Sequence, residues 1–385
     1  MPLVDSFGRT IDYLRLSVTD RCNFRCVYCM PEEGSPVSPK ASILTYEELT
    51  RLATIAVSLG MTKLRLTGGE PLVRKDIERL VKAIGGIPGV RDLSLTTNGY
   101  LLDRYAEEFK RGGLSRVNIS LDTLKPERFT RIARRGDLEG VWKGIEASLS
   151  AGLTPLKLNC VVMRGYNEDE IADFARLTLD TPLHIRFIEL MPINWSSGDD
   201  SGVGMADFFA LSAMPGYLQN EKIAVYARAD KNLTQVLKER SNEGQGMLDS
   251  AQMRRAFVPA SEMRLRIEEE LGELTPADLQ TNGPASAFRL TRPDGLPAPG
   301  TVGFISQITK DVCRNCNRLR LTADGQLRPC LMADGEADLR TPLRSDASDE
   351  EIAEIFRSVV VHKPFEHRLE DGIAPTGRNM SQLGG

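Results

Sequence analysis

The residues of this 385-residue chain with the clearest capacity for chemistry are its seven cysteines. Six of them form two triplets that lie far apart in the sequence: Cys22, Cys26 and Cys29, and Cys313, Cys316 and Cys330. Clustered thiolates in a reducing compartment usually bind metal, and an odd number of cysteines argues against a disulfide framework. The seventh, Cys160, lies in the apolar run LKLNCVVM, so we expect a small buried hydrophobic residue there.

The first triplet has the spacing C-x3-C-x2-C and follows the strand-like segment DYLRLSVT. A loop of this length can wrap three thiolates around one cluster. Four cysteines complete a [4Fe–4S] cluster, whereas three leave one iron open to bind another molecule. The alternative is a zinc site completed by a distant ligand. All three histidines are far away in the sequence, which argues against zinc: His184, His362 and His367.

The second triplet is interrupted by the segment NRLRLTADGQL, which has the pattern strand, turn, strand. Its Asp-Gly pair is a hairpin turn signal, and such a hairpin returns Cys330 to the pair Cys313 and Cys316. The residues alone leave three interpretations open: a zinc ribbon that lacks one ligand, a completed auxiliary cluster, and a second cluster with a free iron.

Cationic residues alternate with apolar ones along several strand-like segments, as Arg15 alternates with Leu14 and Leu16. A parallel strand buried on both faces is instead a nearly continuous run of hydrophobic residues. The pattern therefore predicts an open barrel whose lumen binds a polar, anionic ligand. An antiparallel sheet with one solvated face is the alternative, and the intervening helices argue against it. The cations concerned are Arg15, Lys63, Arg65, Lys157, Arg186, Arg318 and Arg320.

The elements that must position these residues alternate between strand and amphipathic helix from about residue 12 to 190. Six such units predict βαβ crossovers and a barrel-like α/β fold. We expect a barrel at 1–195, an insertion of unknown role at 196–257, and a C-terminal domain at 258–385. The hydrophobic fraction of 41% excludes a disordered chain, and the net charge of −4 argues against a nucleic-acid partner. No apolar run is long enough to predict a membrane span.

The first triplet, together with Gly68-Gly69-Glu70-Pro71 after the second strand, resembles the radical S-adenosylmethionine superfamily. The resemblance implies a partial (β/α)6 barrel with a smaller C-terminal iron–sulfur domain closing its open side. It also implies a [4Fe–4S] cluster on the first triplet that binds S-adenosylmethionine and yields a 5′-deoxyadenosyl radical on one-electron reduction. The implied contacts of S-adenosylmethionine are Tyr28, Gly69, Glu70, Ser120 and Met191.

The segment CxxCNRLRLTADGxLxxCL and the terminal Gly384-Gly385 resemble the GTP 3′,8-cyclase family of molybdenum cofactor biosynthesis. This implies a lyase that cyclises GTP to 3′,8-cyclo-7,8-dihydro-GTP. A second [4Fe–4S] cluster on the second triplet binds the guanine, and no residue is catalytic beyond the cofactors. The stretch at 196–257 departs from the family in being longer than its usual connection. The implied contacts of GTP are Arg15, Arg65, Thr96, Lys157, Arg186, Arg318, Leu319 and Arg320.

The same resemblance implies partners and a location. We expect an electron donor such as flavodoxin or ferredoxin, cyclic pyranopterin monophosphate synthase as the next enzyme, a homodimer, and a cytoplasmic protein. The Gly-Gly end is typical of a flexible tail, a conjugation tail or a peptide that threads into a narrow site, and the resemblance favours threading. Two rival functions are a peptide-modifying radical enzyme and a non-catalytic electron-transfer or zinc-stabilised binding protein.

Overall fold

The computed structural model describes residues 2–191, 193, 247–277, 283–309, 312–369 and 377–384. Most of the stretch expected to be an insertion therefore lies outside the described residues, and only 247–257 of it can be placed. In the described part of the chain, no helix has the length and apolar character needed to cross a membrane.

Strands and helices alternate through the first half of the chain, as predicted. The strands are β1 (Tyr13–Ser17), β2 (Lys63–Thr67), β3 (Asp92–Thr97), β4 (Arg116–Ser120), β5 (Lys157–Val162) and β6 (His184–Glu189). The helices are α1 (Tyr46–Ser58), α2 (Ile77–Gly85), α3 (Ala106–Arg111), α4 (Pro126–Ala133), α5 (Leu138–Ser150) and α6 (Ile171–Asp180). Short 3-10 helices cover Lys40–Ser42, Pro71–Val73, Leu102–Arg104 and Glu168–Glu170. Each strand pairs in parallel with the next, which confirms the βαβ prediction.

Local sequence explains where these elements begin and which face they bury. At the start of α1, Thr45 and Glu48 form the predicted capping box, in which each side chain accepts from the other's backbone N–H. Leu14 and Leu16 of β1 are fully buried. Each such leucine contributes about 1.5–3 kcal/mol. The apolar face of each strand is thus covered, which leaves the polar face for the lumen.

The second half of the chain adds short strands and five helices among its described residues. The strands are β7 (Thr275–Pro276), β8 (Ser286–Arg289), β9 (Thr301–Ile305), β10 (Arg318–Leu321), β11 (Gln326–Arg328) and β12 (Ala337–Asp338). The helices are α7 (Ser250–Ala256), α8 (Ala260–Leu271), α9 (Arg340–Arg344), α10 (Asp349–Val361) and α11 (Met380–Leu383). The strands β10 and β11 are antiparallel, which confirms the predicted hairpin.

Within the described residues, all strands join one twelve-stranded sheet in the order β12-β11-β10-β1-β2-β3-β4-β5-β6-β9-β8-β7. β10 pairs in parallel with β1, and β9 pairs in parallel with β6. The C-terminal half therefore covers both edges of the partial barrel, which would otherwise present unpaired backbone groups. The boundaries expected at 195 and 258 divide the sequence, but the sheet continues across them.

Candidate functional site

The polar face of the sheet carries a group of buried cations. Each of five side chains is less than 10% exposed: Arg15, Arg65, Lys157, Arg186 and Arg320. They lie on β1, β2, β5, β6 and β10, and their apolar neighbours on the opposite face are fully buried. The alternation in the sequence thus predicted the lumen-facing side of these strands correctly.

Burial and mutual repulsion disfavour the charged forms of these cations. Burial lowers the pKa of Lys157 to about 7, with further lowering by Arg186, Arg116 and Arg65. Burial likewise lowers the pKa of Arg186 to about 9 and that of Arg320 to about 10. The carboxylate of Asp92, which favours the charged form of Lys157, is already paired with Arg116. An anionic ligand would relieve this excess of positive charge.

Several buried polar atoms at the same site have no hydrogen-bond partner. An unsatisfied buried polar group costs about 1–3 kcal/mol, so such a group needs an explanation. A polar ligand in the lumen would supply the missing partners, and Thr96 is among the contacts expected for GTP. The atoms are Tyr13 Oη, Arg15 Nε, Thr67 Oγ1, Thr96 Oγ1 and Ser381 Oγ.

The first triplet lies on a loop after β1 that the chain holds through backbone contacts. Arg25 Nη1 donates to the carbonyl oxygens of Cys22 (2.6 Å) and Phe24 (2.7 Å), and Cys29 N–H donates to Cys26 O (2.9 Å). Burial raises the pKa of the Cys22 and Cys29 thiols to about 12. They become thiolates only beside strong positive charge, which a metal cluster supplies.

The chemistry of the cysteines fits an iron–sulfur cluster. Thiolates are the ligands of such clusters, and each cysteine of a triplet can bind a different iron atom of a [4Fe–4S] cluster. Among the residues that the structure describes, no group of three His, Cys, Asp or Glu side chains is placed to hold a single metal ion. The donor set of both triplets therefore fits an iron–sulfur cluster.

The Gly68-Gly69 segment packs directly on the start of the cysteine loop. Gly69 N–H donates to Thr19 O at 2.8 Å, and Glu70 N–H donates to Arg21 O at 2.8 Å. A Cβ atom on Gly69 would lie 2.4 Å from Arg21 O, which is closer than any real contact. Glycine is required here because the two backbones touch.

Glu70 has a different environment from the one expected. Its buried carboxylate accepts hydrogen bonds from Leu72 N–H (2.9 Å), Thr97 Oγ1 (2.7 Å) and Asn98 N–H (2.6 Å). Burial raises its pKa to about 7, although these hydrogen bonds oppose the shift. Both oxygens are thus engaged within the chain, where they tie the end of β3 to the loop after β2. Contact of Glu70 with S-adenosylmethionine stays a prediction.

The remaining residues expected to contact S-adenosylmethionine lie at or beyond the carboxyl ends of strands. Tyr28 donates its hydroxyl to Asp122 Oδ2 at 2.8 Å, and Asp122 Oδ1 accepts from Val161 N–H at 2.8 Å. Burial raises the pKa of Asp122 to about 6. Ser120 is the last residue of β4, and Met191 follows β6. Ligands of parallel α/β barrels bind at this edge.

The second triplet surrounds the β10–β11 hairpin. Cys316 N–H donates to Cys313 O at 2.9 Å. Burial alone would raise the pKa of the Cys316 thiol, but Arg318 and Lys363 outweigh it and lower the pKa to about 7. Lys363 in turn donates to the carbonyl oxygens of Arg318 and Pro329. These cations favour the thiolate form of Cys316.

Leu319, one of the expected GTP contacts, has its side chain on the apolar face of its strand. Its side chain is fully buried in the apolar core, on the opposite face of β10 from Arg320, and its register partner is Leu14. Side chains on a strand alternate between faces, so the Leu319 side chain cannot reach the lumen. Only its main-chain atoms are available to a ligand.

Arg9 holds the second triplet in place, and the sequence did not reveal it. Its guanidinium donates to the carbonyl oxygens of Cys313 (2.7 Å), Pro364 (2.7 Å) and Phe365 (2.6 Å). Nε forms a buried ion pair with Asp5 at 2.6 Å. An N-terminal arginine thus fixes two segments near the end of the chain, and hydrogen bonds to backbone carbonyls leave no residue pattern.

The C-terminal tail enters the lumen. Gly384 O accepts from Arg15 Nη2 and from Arg320 Nη1, each at 3.1 Å. The backbone of Ser381 opposes the burial that raises the pKa of the Cys29 thiol, and Leu383 belongs to an apolar cluster against which Cys330 packs. The threading prediction is confirmed as far as Gly384, whereas Gly385 lies outside the described residues. The tail thus contacts two lumen arginines and reaches the surroundings of both triplets.

A pocket lies at the amino ends of β5, β6 and β9 and includes His184. By sequence alone, this histidine stands out only as too distant from the first triplet to complete a zinc site. Lys157, His184 and Arg186 line it, and His184 Nδ1 lies 2.7 Å from Thr301 Oγ1. Burial lowers the pKa of His184 to about 4, helped by the neighbouring cations. Small residues complete the lining of this pocket: Gly283, Ala285, Ala287 and Gly303.

Comparison with known proteins agrees with this geometry. The family described as "Radical SAM superfamily" matches residues 16–178, and "Molybdenum Cofactor Synthesis C" matches 243–369. The chain is 45% identical to a GTP 3′,8-cyclase of Moorella thermoacetica, with 99% of each chain covered. It is also 45% identical to a GTP 3′,8-cyclase of Heliobacterium modesticaldum, with 100% of each covered.

Among solved structures, Streptococcus suis SuiB covers 95% of this chain and 68% of its own, at 12% identity and a TM-score of 0.48. Similarity at that level carries no argument about substrate. Identity of 45% over complete chains does identify the family. This chain belongs to the GTP 3′,8-cyclase family of the radical S-adenosylmethionine superfamily.

Proposed function

We propose that the protein cyclises GTP to 3′,8-cyclo-7,8-dihydro-GTP by radical S-adenosylmethionine chemistry, the first step of molybdenum cofactor biosynthesis. On the structural side, a buried cationic lumen carries this proposal, and the C-terminal tail contacts two of its arginines. A nucleoside triphosphate has the negative charge that such a lumen needs. Full-length relatives named for this reaction support it independently.

The first triplet would hold a [4Fe–4S] cluster, and we propose a second one on the second triplet. The first cluster, when bound with S-adenosylmethionine, supplies the 5′-deoxyadenosyl radical. Tyr28, Gly69, Glu70, Ser120 and Met191 are the proposed contacts of S-adenosylmethionine. Tyr28 is fixed for such a contact because Asp122 anchors its hydroxyl group.

The lumen cations would bind the triphosphate and orient the ribose. Arg65 Nε donates to Ser94 Oγ at 3.1 Å, and Arg186 Nε donates to Asn159 Oδ1 at 2.9 Å, so each guanidinium is oriented before a ligand arrives. Prior orientation of this kind lowers the entropic cost of reaching a reactive geometry. The full proposed set of GTP contacts is Arg15, Arg65, Thr96, Lys157, Arg186, Arg318, the main chain of Leu319, and Arg320.

We also propose the partners that this reaction requires. A one-electron donor such as flavodoxin or ferredoxin would reduce the first cluster, and cyclic pyranopterin monophosphate synthase would consume the product. A homodimer and a cytoplasmic location complete the proposal.

The test is anaerobic reconstitution with iron and sulfide, followed by reduction with S-adenosylmethionine and GTP present. We expect 5′-deoxyadenosine and a cyclised GTP product to appear together by mass spectrometry. Cys22→Ala should abolish both, and Cys313→Ala should abolish the GTP product. Cys160→Ala is the matched control, because Cys160 is buried in the core outside both triplets.

The outcomes separate the rival functions. Deoxyadenosine without any change in GTP would mean that the radical chemistry is right and the substrate is wrong, which favours a peptide-modifying enzyme. A protein that binds zinc and cleaves nothing would contradict the enzyme proposal altogether and favour a binding protein.

A further inference from the structure

The tail begins with a charged anchor that the proposed function does not use. Arg378 forms a bidentate pair with Asp324, at 3.1 Å for Nη1 to Oδ1 and 3.0 Å for Nη2 to Oδ2. It also contacts Glu336, at 2.6 Å for Nε to Oε1 and 2.8 Å for Nη2 to Oε2. The side chain of Arg378 is 19% exposed. One guanidinium therefore makes four charge-assisted hydrogen bonds, which are stronger than neutral ones.

The carboxylates of Asp324 and Glu336 are also held by partners other than Arg378. Asp324 lies in the turn between β10 and β11 and accepts from Thr322 Oγ1 at 2.6 Å. Glu336 is paired with Arg328, whose side chain is 2% exposed. Because Asp324 lies between Cys316 and Cys330 in the chain, the anchor connects the tail to the hairpin of the second triplet.

The tail is also held beyond the anchor. Asn379 Nδ2 donates to Ser35 Oγ at 2.6 Å, on the segment that follows the first triplet. α11 then carries the chain inward to Gly384. Only five residues separate Arg378 from Gly384 in the sequence, so the place of the anchor limits where the Gly384 carbonyl can lie.

We propose that Arg378 is a positioning residue that keeps the C-terminal tail in the lumen through its ion pairs with Asp324 and Glu336. It acts on the site through Gly384, whose carbonyl oxygen lies between Arg15 and Arg320. This role is separate from the cyclisation of GTP, because it determines how long the C-terminal tail stays inserted in the lumen. The alternative is that Arg378 only stabilises the hairpin, in which case the tail stays inserted without it.

The experiment measures how fast a carboxypeptidase releases the terminal glycines from the full-length, reconstituted protein, followed by intact mass. Arg378→Gln keeps the shape of the side chain but removes the charge, and we expect about tenfold faster release. Asp324→Asn should accelerate release less, because Glu336 remains. The double variant should be no faster than Arg378→Gln alone. Glu336 is left intact because its removal would strand the buried Arg328.

Arg344→Gln is the matched control. Arg344 also pairs with a carboxylate, Glu48 at 2.7 Å, and donates to the carbonyl oxygens of Ala41 and Ile43. These partners all lie within residues 41–48, outside the tail, so release should equal that of the wild type. Arg378→Lys keeps the positive charge but lacks the forked guanidinium group. Its rate of glycine release should therefore lie between those of the wild type and Arg378→Gln.

Release from Arg378→Gln at the wild-type rate would overturn the proposal, whether or not the melting temperature falls. If Arg378→Gln does not fold, Asp324→Asn provides the test. Release of the glycines from this variant at the wild-type rate contradicts the proposed role of the anchor, and faster release supports it. The readout needs no turnover of GTP. The experiment can therefore contradict the role of Arg378 without contradicting the proposed function, and the reverse.

Discussion

Arg15 on β1 is the register partner of Arg320 on β10, and both guanidinium groups donate to the carbonyl oxygen of Gly384 at 3.1 Å. Burial lowers the pKa of Arg15 well below its usual range, and Arg320 is the strongest of the neighbouring charges that lower it further. A single neutral carbonyl dipole offsets only part of this repulsion. The pair is thus set to accept an anion beside the tail.

Replacement of Gly384 by Ala should displace the tail and reduce the GTP product per deoxyadenosine formed. Gly384 has a φ of +70°, and a Cβ would lie 2.8 Å from Thr67 Oγ1. We expect kcat/KM to fall about 10–100-fold, and deletion of Gly384 and Gly385 to do the same. Gly272→Ala is the control, because Gly272 also has a positive φ, of +89°, but lies after α8, and its Cβ would meet no described atom within 4 Å. Equal activity of all variants would contradict a role of the tail.

Gly69→Ala should destabilise the protein and weaken loading of the first cluster. The new Cβ would overlap Arg21 O, and backbone cannot move aside cheaply. A loss of about 3 kcal/mol in the free energy of unfolding is expected, measured by urea denaturation together with iron content. Gly86→Ala is the comparison, since its Cβ would be at 3.4 Å from Lys82 O, an ordinary contact. Similar stability of the two variants would mean that the close approach is not required.

Affinity for GTP should fall as pH rises above about 7, the pKa of Lys157 in the free protein. A bound triphosphate favours the charged amine and raises this pKa, so binding takes up a proton between the free and bound values. Below pH 7 the amine is already charged and contributes no slope. Arg186, Arg116 and Arg65 lower the pKa, and Asp92 raises it.

Lys157→Arg gives the matched comparison, because arginine stays charged throughout. We expect the affinity of the wild type for GTP to fall by up to about tenfold per pH unit above 7. The affinity of Lys157→Arg should lack this fall, because its side chain does not lose its charge. Isothermal calorimetry at several pH values measures both. His184 is present in both proteins, so the difference between them belongs to Lys157. Parallel slopes would contradict the assignment.

Arg9→Gln should destabilise the region of the second triplet. It would leave three carbonyl oxygens without this donor and Asp5 buried without its ion pair. Breaking a buried pair costs about 3–5 kcal/mol, and we expect iron content to fall toward that of the first cluster alone. Arg51→Gln removes an exposed pair with Asp349 and should cost at most about 1 kcal/mol. If Arg9→Gln has the iron content of the wild type, Arg9 is not needed to hold the second triplet in place.

Much of this architecture could be predicted from local patterns. The period of two along β1 and β2 predicted the faces of Arg15 and Arg65, and the Thr45–Glu48 box predicted where α1 begins. Both patterns are set by neighbours in the sequence. The spacing of each cysteine triplet is local in the same way, and so is the hairpin between Cys316 and Cys330.

The remainder depends on contacts between distant segments. The pairing of β9 with β6 brings Thr301 to His184, and no periodicity within either strand predicts that partner. The hydrogen bonds of Arg9 end on backbone carbonyls, which every residue has. Leu319 was included through resemblance, although its place between Arg318 and Arg320 already put its side chain on the other face.

The placement of β10 and β9 on opposite edges of the barrel has a consequence for protein engineering. A fragment ending near residue 195 would leave β1 and β6 as two bare templates for strand addition, a cause of aggregation. A chimera that exchanges the C-terminal half between relatives must match two seams at once, Arg15 with Arg320 and Ile185 with Val302. The C-terminal half is therefore unsuited to exchange between relatives unless both strand pairings are preserved.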